Sequence, residues 1–251
     1  MAVYTSFDMI SDCRANRPEG WIFLAETVVP PLRRLYSHYG LAESAVRQRL
    51  IALKGGIARF EPMSVRQFVA ALRPEPVPEE QGEVELEAVA AALEPLTVLE
   101  RQLVWMDTMG YETPEAARLM RMSPDTAASV RDRSAELLRG AFDSWTRTML
   151  RDHGAWLGQQ ARQAKPAETV RFNDYLDIID GRMTWQNRAG VELKLLESWY
   201  EIDQFCRVRE ADAAVMDTQP LRGEEAQPYL ELFGVSRPKP GLLRRVLGVG
   251  G

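Results

Sequence analysis

Apolar residues recur along most of this chain at spacings of three and four, the period of an α-helix that buries one face. The stretch from Phe23 to Tyr39 is a clear example, with apolar side chains at positions 23, 24, 28, 32, 35, 36 and 39. Alternation of apolar and polar residues with a period of two, which is typical of a half-buried strand, is rare. The pattern therefore predicts an all-α fold.

Glycine, proline and changes of composition divide this helical pattern into three modules. The segment after the first module contains three prolines and seven glutamates without a basic residue, which is typical of an acidic linker. It either forms a solvated spacer or shields a neighbouring basic face, and its second half, 84–93, has the apolar content of a helix that docks on the next module. The predicted divisions are a helical module at 1–73, the linker at 74–94, a central module at 95–150, a C-terminal helical domain at 168–233 and a tail at 234–251.

Local signals set the expected helix ends in the two outer modules. A helix over 21–39 should break or kink near Val28–Val29, because Pro30-Pro31 cannot continue the backbone hydrogen bonds, and Gly40 should end it. The other predicted helices are 42–53 (ending at Gly55-Gly56), 64–72 (capped by Ser64), 172–179 (ending at Asp180-Gly181) and 184–216 (one long helix or a helix pair).

Residues 96–140 have the most distinctive pattern, three helical segments separated by tight turns. The first segment ends at Gly110, the second opens at Thr113, and a turn at 121–124 precedes a longer third segment. This layout predicts a helix-turn-helix, the unit that places a recognition helix in the DNA major groove. The residues expected to face inward are Leu96, Leu99, Leu103, Met106 and Met109 on the first helix, Ala116, Ala117 and Met120 on the second, Met122 as a buried plug in the turn, and Thr126, Val130, Ala135, Leu137 and Leu138 on the third.

The third helix of this segment carries the candidate DNA-binding side chains. Ser123 is expected to cap it, Pro124 fits its first turn, and Asp125 suits the positive end of the helix dipole. Arginine can bind guanine through two hydrogen bonds, so Arg131 and Arg133 are the candidates for base recognition. The predicted DNA-binding residues are Ser123, Thr126, Ala128, Ser129, Arg131 and Arg133.

The charge balance leaves two outcomes open for this helix. The whole chain carries a formal charge of −5, and residues 96–147 contain seven arginines against eight acidic residues. Affinity for DNA comes mainly from Lys and Arg contacts to phosphates, so a module with this balance binds DNA weakly or keeps the fold without binding DNA. A positive exposed face on the third helix would favour DNA, and an acidic or covered face would favour a mimic that does not bind DNA.

The central segment resembles the C-terminal DNA-binding module of bacterial sigma factors of the extracytoplasmic-function type. The similarity lies in Leu96-Thr97-x-x-Glu100-Arg101, Gly110-Tyr111-x-Thr113-x-Glu115-Ala116-Ala117, Met122-Ser123-Pro124-Asp125-Thr126 and Leu138-Arg139. The first of these sequences is shared with the LuxR-type response-regulator module, so the two families stay open on this segment. The chain departs from the sigma pattern at Ala127, Ala128 and Val130, where sigma factors usually carry basic residues.

The outer modules have weaker resemblances. Residues 23–39 and 64–73 are similar to the polymerase-binding module of sigma factors, although the Asp-x-x-Gln-x-x-Phe core and a basic, aromatic-rich segment are missing. Residues 175–184 and the long helical pattern after them are similar to an anti-sigma domain. Of that family's zinc ligands only Cys206 has a counterpart, so neither a metal nor another cofactor is expected. The aromatic residues expected to be buried there, in a core or at a partner site, are Trp185, Trp199, Tyr200 and Phe205.

These resemblances imply a sigma-factor-like transcription regulator that contacts RNA polymerase core, promoter DNA or both, with its C-terminal domain as an internal regulator. The alternative is a sigma-mimicking interaction module that titrates an anti-sigma-type protein without binding DNA. A third hypothesis is an unrelated helical scaffold protein.

Other classes of function lack support in the sequence. His38 and His153 stand without a patterned carboxylate or nucleophile, so we expect neither catalytic residues nor a small-molecule substrate. Cys13 and Cys206 match no metal or redox spacing and are expected to be reduced thiols. The first residues do not read as a signal peptide, and no apolar run approaches the ~18 residues that span a bilayer. The expected location is therefore the cytoplasm, without a membrane partner.

Overall fold

The computed structural model describes residues 4–78, 85–138 and 147–236. Within these ranges every regular element is a helix, which confirms the predicted all-α class. None of the helices there is both long enough and apolar enough to cross a membrane. Arg139, the middle of the acidic linker and the basic-apolar tail from 237 onward lie outside the described residues.

The chain forms two compact units, 1–73 with 214–251, and 74–213. The first unit contains α1 (Ser6–Arg14), α2 (Pro18–Phe23), α3 (Val29–His38), α4 (Glu43–Gly56) and α5 (Val65–Leu72). The second contains α6 (Leu86–Ala92), α7 (Val98–Thr108), α8 (Thr113–Leu119), α9 (Pro124–Leu138), α10 (Arg147–Asp152), α11 (Gly154–Gln163), α12 (Phe172–Ile179) and α13 (Trp185–Glu197). The division falls within α14 (Trp199–Asp217), and α15 (Gln227–Phe233) belongs to the first unit. The boundaries between the two units lie after Arg73 and after Ala213.

The first unit shows how the proline pair acts. A π-helical turn, Leu24–Val28, separates α2 from α3 at the place where the break was expected. A wider turn is the usual way in which a helix accommodates backbone groups that lack a regular partner. The expected cap at Ser64 is confirmed, because its hydroxyl accepts a hydrogen bond from the Gln67 amide at 3.3 Å. The helix predicted over 42–53 corresponds to α4, which starts one residue later than predicted and includes both Gly55 and Gly56.

In the core of the first unit, helices from the first 72 residues pack against α15. Trp21 is almost fully buried, and its ring stacks on Phe233 with 4.6 Å between the ring centroids. The hydroxyl of Tyr229 donates a hydrogen bond to the Glu43 carboxylate on α4. Residues 227–233 therefore belong to the same core as residues 6–72, a grouping that no local sequence pattern indicates.

The second unit has one continuous apolar core, but α14 adds buried charged side chains to it. Trp105 Nε1 donates to Asp203 at 3.2 Å, and the Tyr111 hydroxyl donates to Glu210 at 2.5 Å. Tyr175 and the Val170 amide both donate to Glu201. These carboxylates are buried yet hydrogen-bonded, which is the condition under which burial of a charge is tolerated. In consequence α14 fixes α7, the start of α8 and α12 in one core.

The structure corrects several expected burials. On α9 the inward residues are Ala127, Arg131, Ser134 and Leu138, so the inward face is rotated by about one residue from the predicted set. Leu99 and Leu137 are 39% and 45% exposed, and Met122 is half-buried rather than a buried plug. Trp185, expected to be buried, is 77% exposed, whereas Phe205 is buried and Trp199 and Tyr200 are half-buried.

Candidate interaction surface on the third central helix

Helix α9 begins with two hydroxyl groups that cap its first turn. Ser123 Oγ accepts a hydrogen bond from the Thr126 amide at 3.1 Å and lies 2.8 Å from the Thr126 hydroxyl. Such a cap satisfies a backbone donor that has no partner within the helix. Both residues are exposed, which corrects the expected inward position of Thr126, and their hydroxyls are already engaged in starting the helix.

Arg131, one of the two candidate base readers, is not on that surface. It is only 6% exposed, and its guanidinium donates to Asp107 Oδ1 at 2.8 Å and to Thr113 Oγ1 at 2.6 Å. It also reaches the carbonyl oxygens of Leu103 and Tyr111. The side chain therefore ties α9 to α7 and to the start of α8. This placement corrects the sequence interpretation, because a buried guanidinium with these partners does not face a DNA groove.

The ion pair of Arg131 is part of a larger charged group. Asp107 Oδ1 also accepts from Arg147 Nε at 2.9 Å, and Glu112 pairs with Arg147 and Arg151 at 3.4 and 2.8 Å. Burial raises the pKa of Asp107, against the opposing charges of Arg131 and Arg147, and burial lowers the pKa of Arg131. Three arginines near the candidate surface thus have acidic partners.

Arg133 differs from Arg131 although the two are close in sequence. Its side chain is 70% exposed, and Nε lies 3.3 Å from Glu100 Oε1. Glu100 itself is buried, with a side chain only 4% exposed, but its Oε2 also accepts hydrogen bonds from the Thr97 amide and hydroxyl. Because Glu100 has these other partners, the exposed guanidinium of Arg133 is available to a partner. Ser129 is also exposed, and Ala128 is half-buried. Of the predicted residues, the structure brings Ser123, Thr126, Ser129 and Arg133 to the surface of α9 and leaves Arg131 inside.

The exposed side of α9 is acidic. We call its exposed polar residues, Asp125, Thr126, Ser129, Asp132, Arg133 and Glu136, the α9 outer face. It carries three carboxylates and a single guanidinium, which is itself close to Glu100. Phosphate contacts need the opposite sign of charge, so this face is better suited to a basic protein surface than to a DNA backbone.

The turn between α8 and α9 is held by helices distant in sequence. Arg121 has a positive φ of 55°, and its guanidinium donates to the Ile179 carbonyl at 2.8 Å and to Asp212 at 2.7 Å. Asp180 lies 3.6 Å away. Arg121 was not among the predicted functional residues, because its partners are about 60 and 90 residues further along the chain. The C-terminal helices thus fix the turn that presents α9.

A groove of about 560 Å³ in the first unit is the other candidate binding site. It is lined in part by Arg33 and Arg34, which pair with Glu43 at 3.0 Å and with Asp217 at 3.4 Å. Because each of these guanidinium groups is paired with a carboxylate, they give the groove no net positive charge that would attract an anion.

Potential metal ligands are not grouped in the described part of the chain. No set of three or more His, Cys, Asp or Glu side chains there could hold an ion. Cys13 and Cys206 are both buried free thiols, and burial raises the pKa of Cys13 to about 12. Comparison of the chain with protein-family models, curated proteins and solved structures finds no match.

Proposed function

We propose that this protein is a sigma-factor-like regulator of transcription that contacts RNA polymerase through the α9 outer face. One observation supports the proposal: α7, α8 and α9 cover the three segments whose sequences resemble the sigma-type motifs, and α9 keeps an exposed side. Short connections with positive φ at Gly110 and Arg121 join these helices, as tight turns between crossing helices need. The cytoplasm, where RNA polymerase works, is the corresponding location.

The charge of the α9 outer face favours a protein contact over DNA recognition. Asp132 and Glu136 are one turn apart and both exposed, and Arg133 between them is the lone exposed basic residue of the helix in its described range. A second candidate function has the same basis: the protein mimics a sigma factor and titrates an anti-sigma-type protein. Promoter DNA remains a proposed ligand through Ser129 and Arg133.

Binding to purified core RNA polymerase tests the proposal. The full chain should comigrate with the core enzyme in gel filtration, and Asp132→Ala with Glu136→Ala should weaken the complex about tenfold. The matched control is Glu85→Ala with Glu87→Ala, which removes the same charge from exposed positions at the start of α6 and should leave binding unchanged. A chain that binds neither polymerase nor an anti-sigma-type protein contradicts the proposal.

A mobility-shift assay distinguishes promoter DNA from RNA polymerase as the ligand of α9. Duplex fragments from the promoters of the source genome are titrated with wild type, Arg133→Ala and Ser129→Ala at low and moderate salt. If DNA is the ligand, Arg133→Ala should weaken the shift while polymerase binding persists. Arg131→Ala is excluded as a probe, because Arg131 is inside the protein and its loss would act through unfolding.

A further inference from the structure

Helix α13 has an apolar side that faces away from the protein. Four apolar residues are exposed there: Trp185 (77%), Leu193 (56%), Leu196 (41%) and Ala189. Their spacing of four, four and three places them in one row along the helix. Val191 and Leu195, which are buried, lie on the opposite side. We call the exposed row the α13 stripe.

Such a row is unusual on a surface. Single exposed apolar residues are normal, but a contiguous set that includes a large aromatic ring marks a site of association. Burial of a Trp contributes more apolar area than burial of any other side chain. The α13 stripe therefore gains free energy from any partner that covers it.

The charges beside the stripe are complementary to a second, antiparallel copy. Arg188 and Glu192 lie along one edge of the stripe, within one helix turn, and pair at 2.7 Å. In an antiparallel pair of identical helices centred between Gly190 and Val191, equivalent edges face each other. Arg188 of each copy then lies near Glu192 of the other, so that both pairs are of opposite sign. A parallel pair would place this edge against the opposite edge of the partner and would lose both ion pairs.

The shape of the helix fits the same arrangement. Ala189 is the small residue of the stripe and lies near its middle. Small residues at the crossing point let two helices approach closely. The same symmetry packs Trp185 of each copy against Leu196 of the other, which covers the most exposed ring. A two-fold axis requires this kind of self-complementary patch.

We propose that the α13 stripe is the contact surface of a homodimer in which two α13 helices pack antiparallel. A contact made by one helix from each copy falls at the lower end of interface sizes, so the dimer is in concentration-dependent exchange with the monomer. The dimer does not depend on the proposed role in transcription, because the α9 outer face and the α13 stripe share no residue.

The mass of the full chain in solution tests the dimer. Sedimentation equilibrium over a hundredfold range of concentration should show a shift from monomer to dimer. Trp185→Ser with Leu193→Ser should remain monomeric at every concentration. The control Ile51→Ser removes another exposed apolar side chain, 55% exposed on α4, and should dimerise like wild type. Thermal unfolding of each variant verifies that it is folded.

A charge exchange identifies the antiparallel register. Arg188→Glu and Glu192→Arg should each weaken dimerisation at least fivefold, and the double exchange should restore it. Failure of the double variant to recover overturns the register. A monomeric wild type, a dimer insensitive to the stripe substitutions, or binding of the monomer to anionic lipid vesicles that Trp185→Ser abolishes would each overturn the homodimer.

Discussion

Arg131 and Arg133 show how much the position on a helix decides the role of a side chain. Two residues along an α-helix correspond to a rotation of about 200°, so the two guanidinium groups point to opposite sides of α9. Arg131 is 6% exposed and holds Asp107, Thr113 and two carbonyl oxygens, whereas the Arg133 side chain is 70% exposed. The first is part of the fold, and the second is available for function.

These two arginines should respond very differently to removal. Arg131→Ala leaves Asp107 buried with one fewer partner, and loss of one member of a buried pair costs about 3–5 kcal/mol. Arg133→Ala should cost less, about 1–2 kcal/mol, because Glu100 is buried but keeps its hydrogen bonds from the Thr97 amide and hydroxyl. Urea unfolding of the two variants measures the difference. Equal costs for both would contradict the placement of Arg131 in the interior.

Tyr229 gives the first unit a dependence on alkaline pH. Burial, followed by the hydrogen bond to Glu43, raises the pKa of its hydroxyl to about 12. In the unfolded chain a Tyr ionises near ~10. The folded form therefore holds the proton longer, and this contribution to stability is complete below ~pH 10 and is lost as the pH rises from 10 towards 12.

The matching variant is Tyr229→Phe. Its free energy of unfolding should be lower than that of wild type at neutral pH, and the gap between the two should narrow above ~pH 10. Urea unfolding at several pH values provides the comparison. A gap that stays constant over this range would show that the Tyr229 proton is not linked to folding.

At the scale of elements, local signals fixed where many helices begin and end, and they did not fix which side of a helix is buried. The proline pair, Ser64 and Ser123 act within one turn of chain, so their effects are readable in the sequence. The rotation of α9 was misjudged because Arg131 and Ser134 take inward positions that a hydrophobic pattern assigns to apolar residues. The partners that permit this burial lie on α7 and α8 and are joined only in the folded chain.

The contact between α11 and α7 rests on the absence of a side chain at Gly154. A Cβ at this position would lie 1.9 Å from the carbonyl oxygen of Thr108, the last residue of α7. Backbone cannot move aside as a flexible side chain can, so Gly154→Ala should push the two helices apart. We expect a loss of roughly 2–4 kcal/mol in the free energy of unfolding, as for other overpacked sites.

The control for this substitution is Gly55→Ala. Gly55 lies inside α4 with no atom within 4 Å of a built Cβ, so alanine should be neutral or stabilise by about 0.5–1 kcal/mol. Denaturant midpoints of the two variants report the contrast. If Gly154→Ala unfolds at the wild-type midpoint, close packing of α11 on α7 is refuted.

At the scale of the whole molecule, the sequence pattern predicts the fold class well, but it does not predict which segments pack into the same unit. The helical period along the chain was sufficient for the all-α class. Residues 214–236 belong to the same unit as 1–73 because of contacts such as that between Trp21 and Phe233. These two residues are about 210 positions apart, so no local pattern connects them. The burial of Arg131 likewise depends on partners that only the folded chain brings together, on α7 and at the start of α8.

The overall charge of −5 and the acidic α9 outer face set a limit on how this protein can hold DNA. Each phosphate that a protein neutralises adds about 0.9 to the slope of log affinity against log salt. If Arg133 is the main contact of α9, the slope should be only about 1–2, and Arg133→Ala should lower it by about 1. Fluorescence anisotropy of a labelled duplex across a range of salt concentrations measures both. Four basic residues, Arg237, Lys239, Arg244 and Arg245, lie near the end of the sequence, so a variant with all four changed to Ala removes their share. A slope of ~6 or more that survives this variant would require a basic surface, which contradicts a regulator that acts through an acidic face.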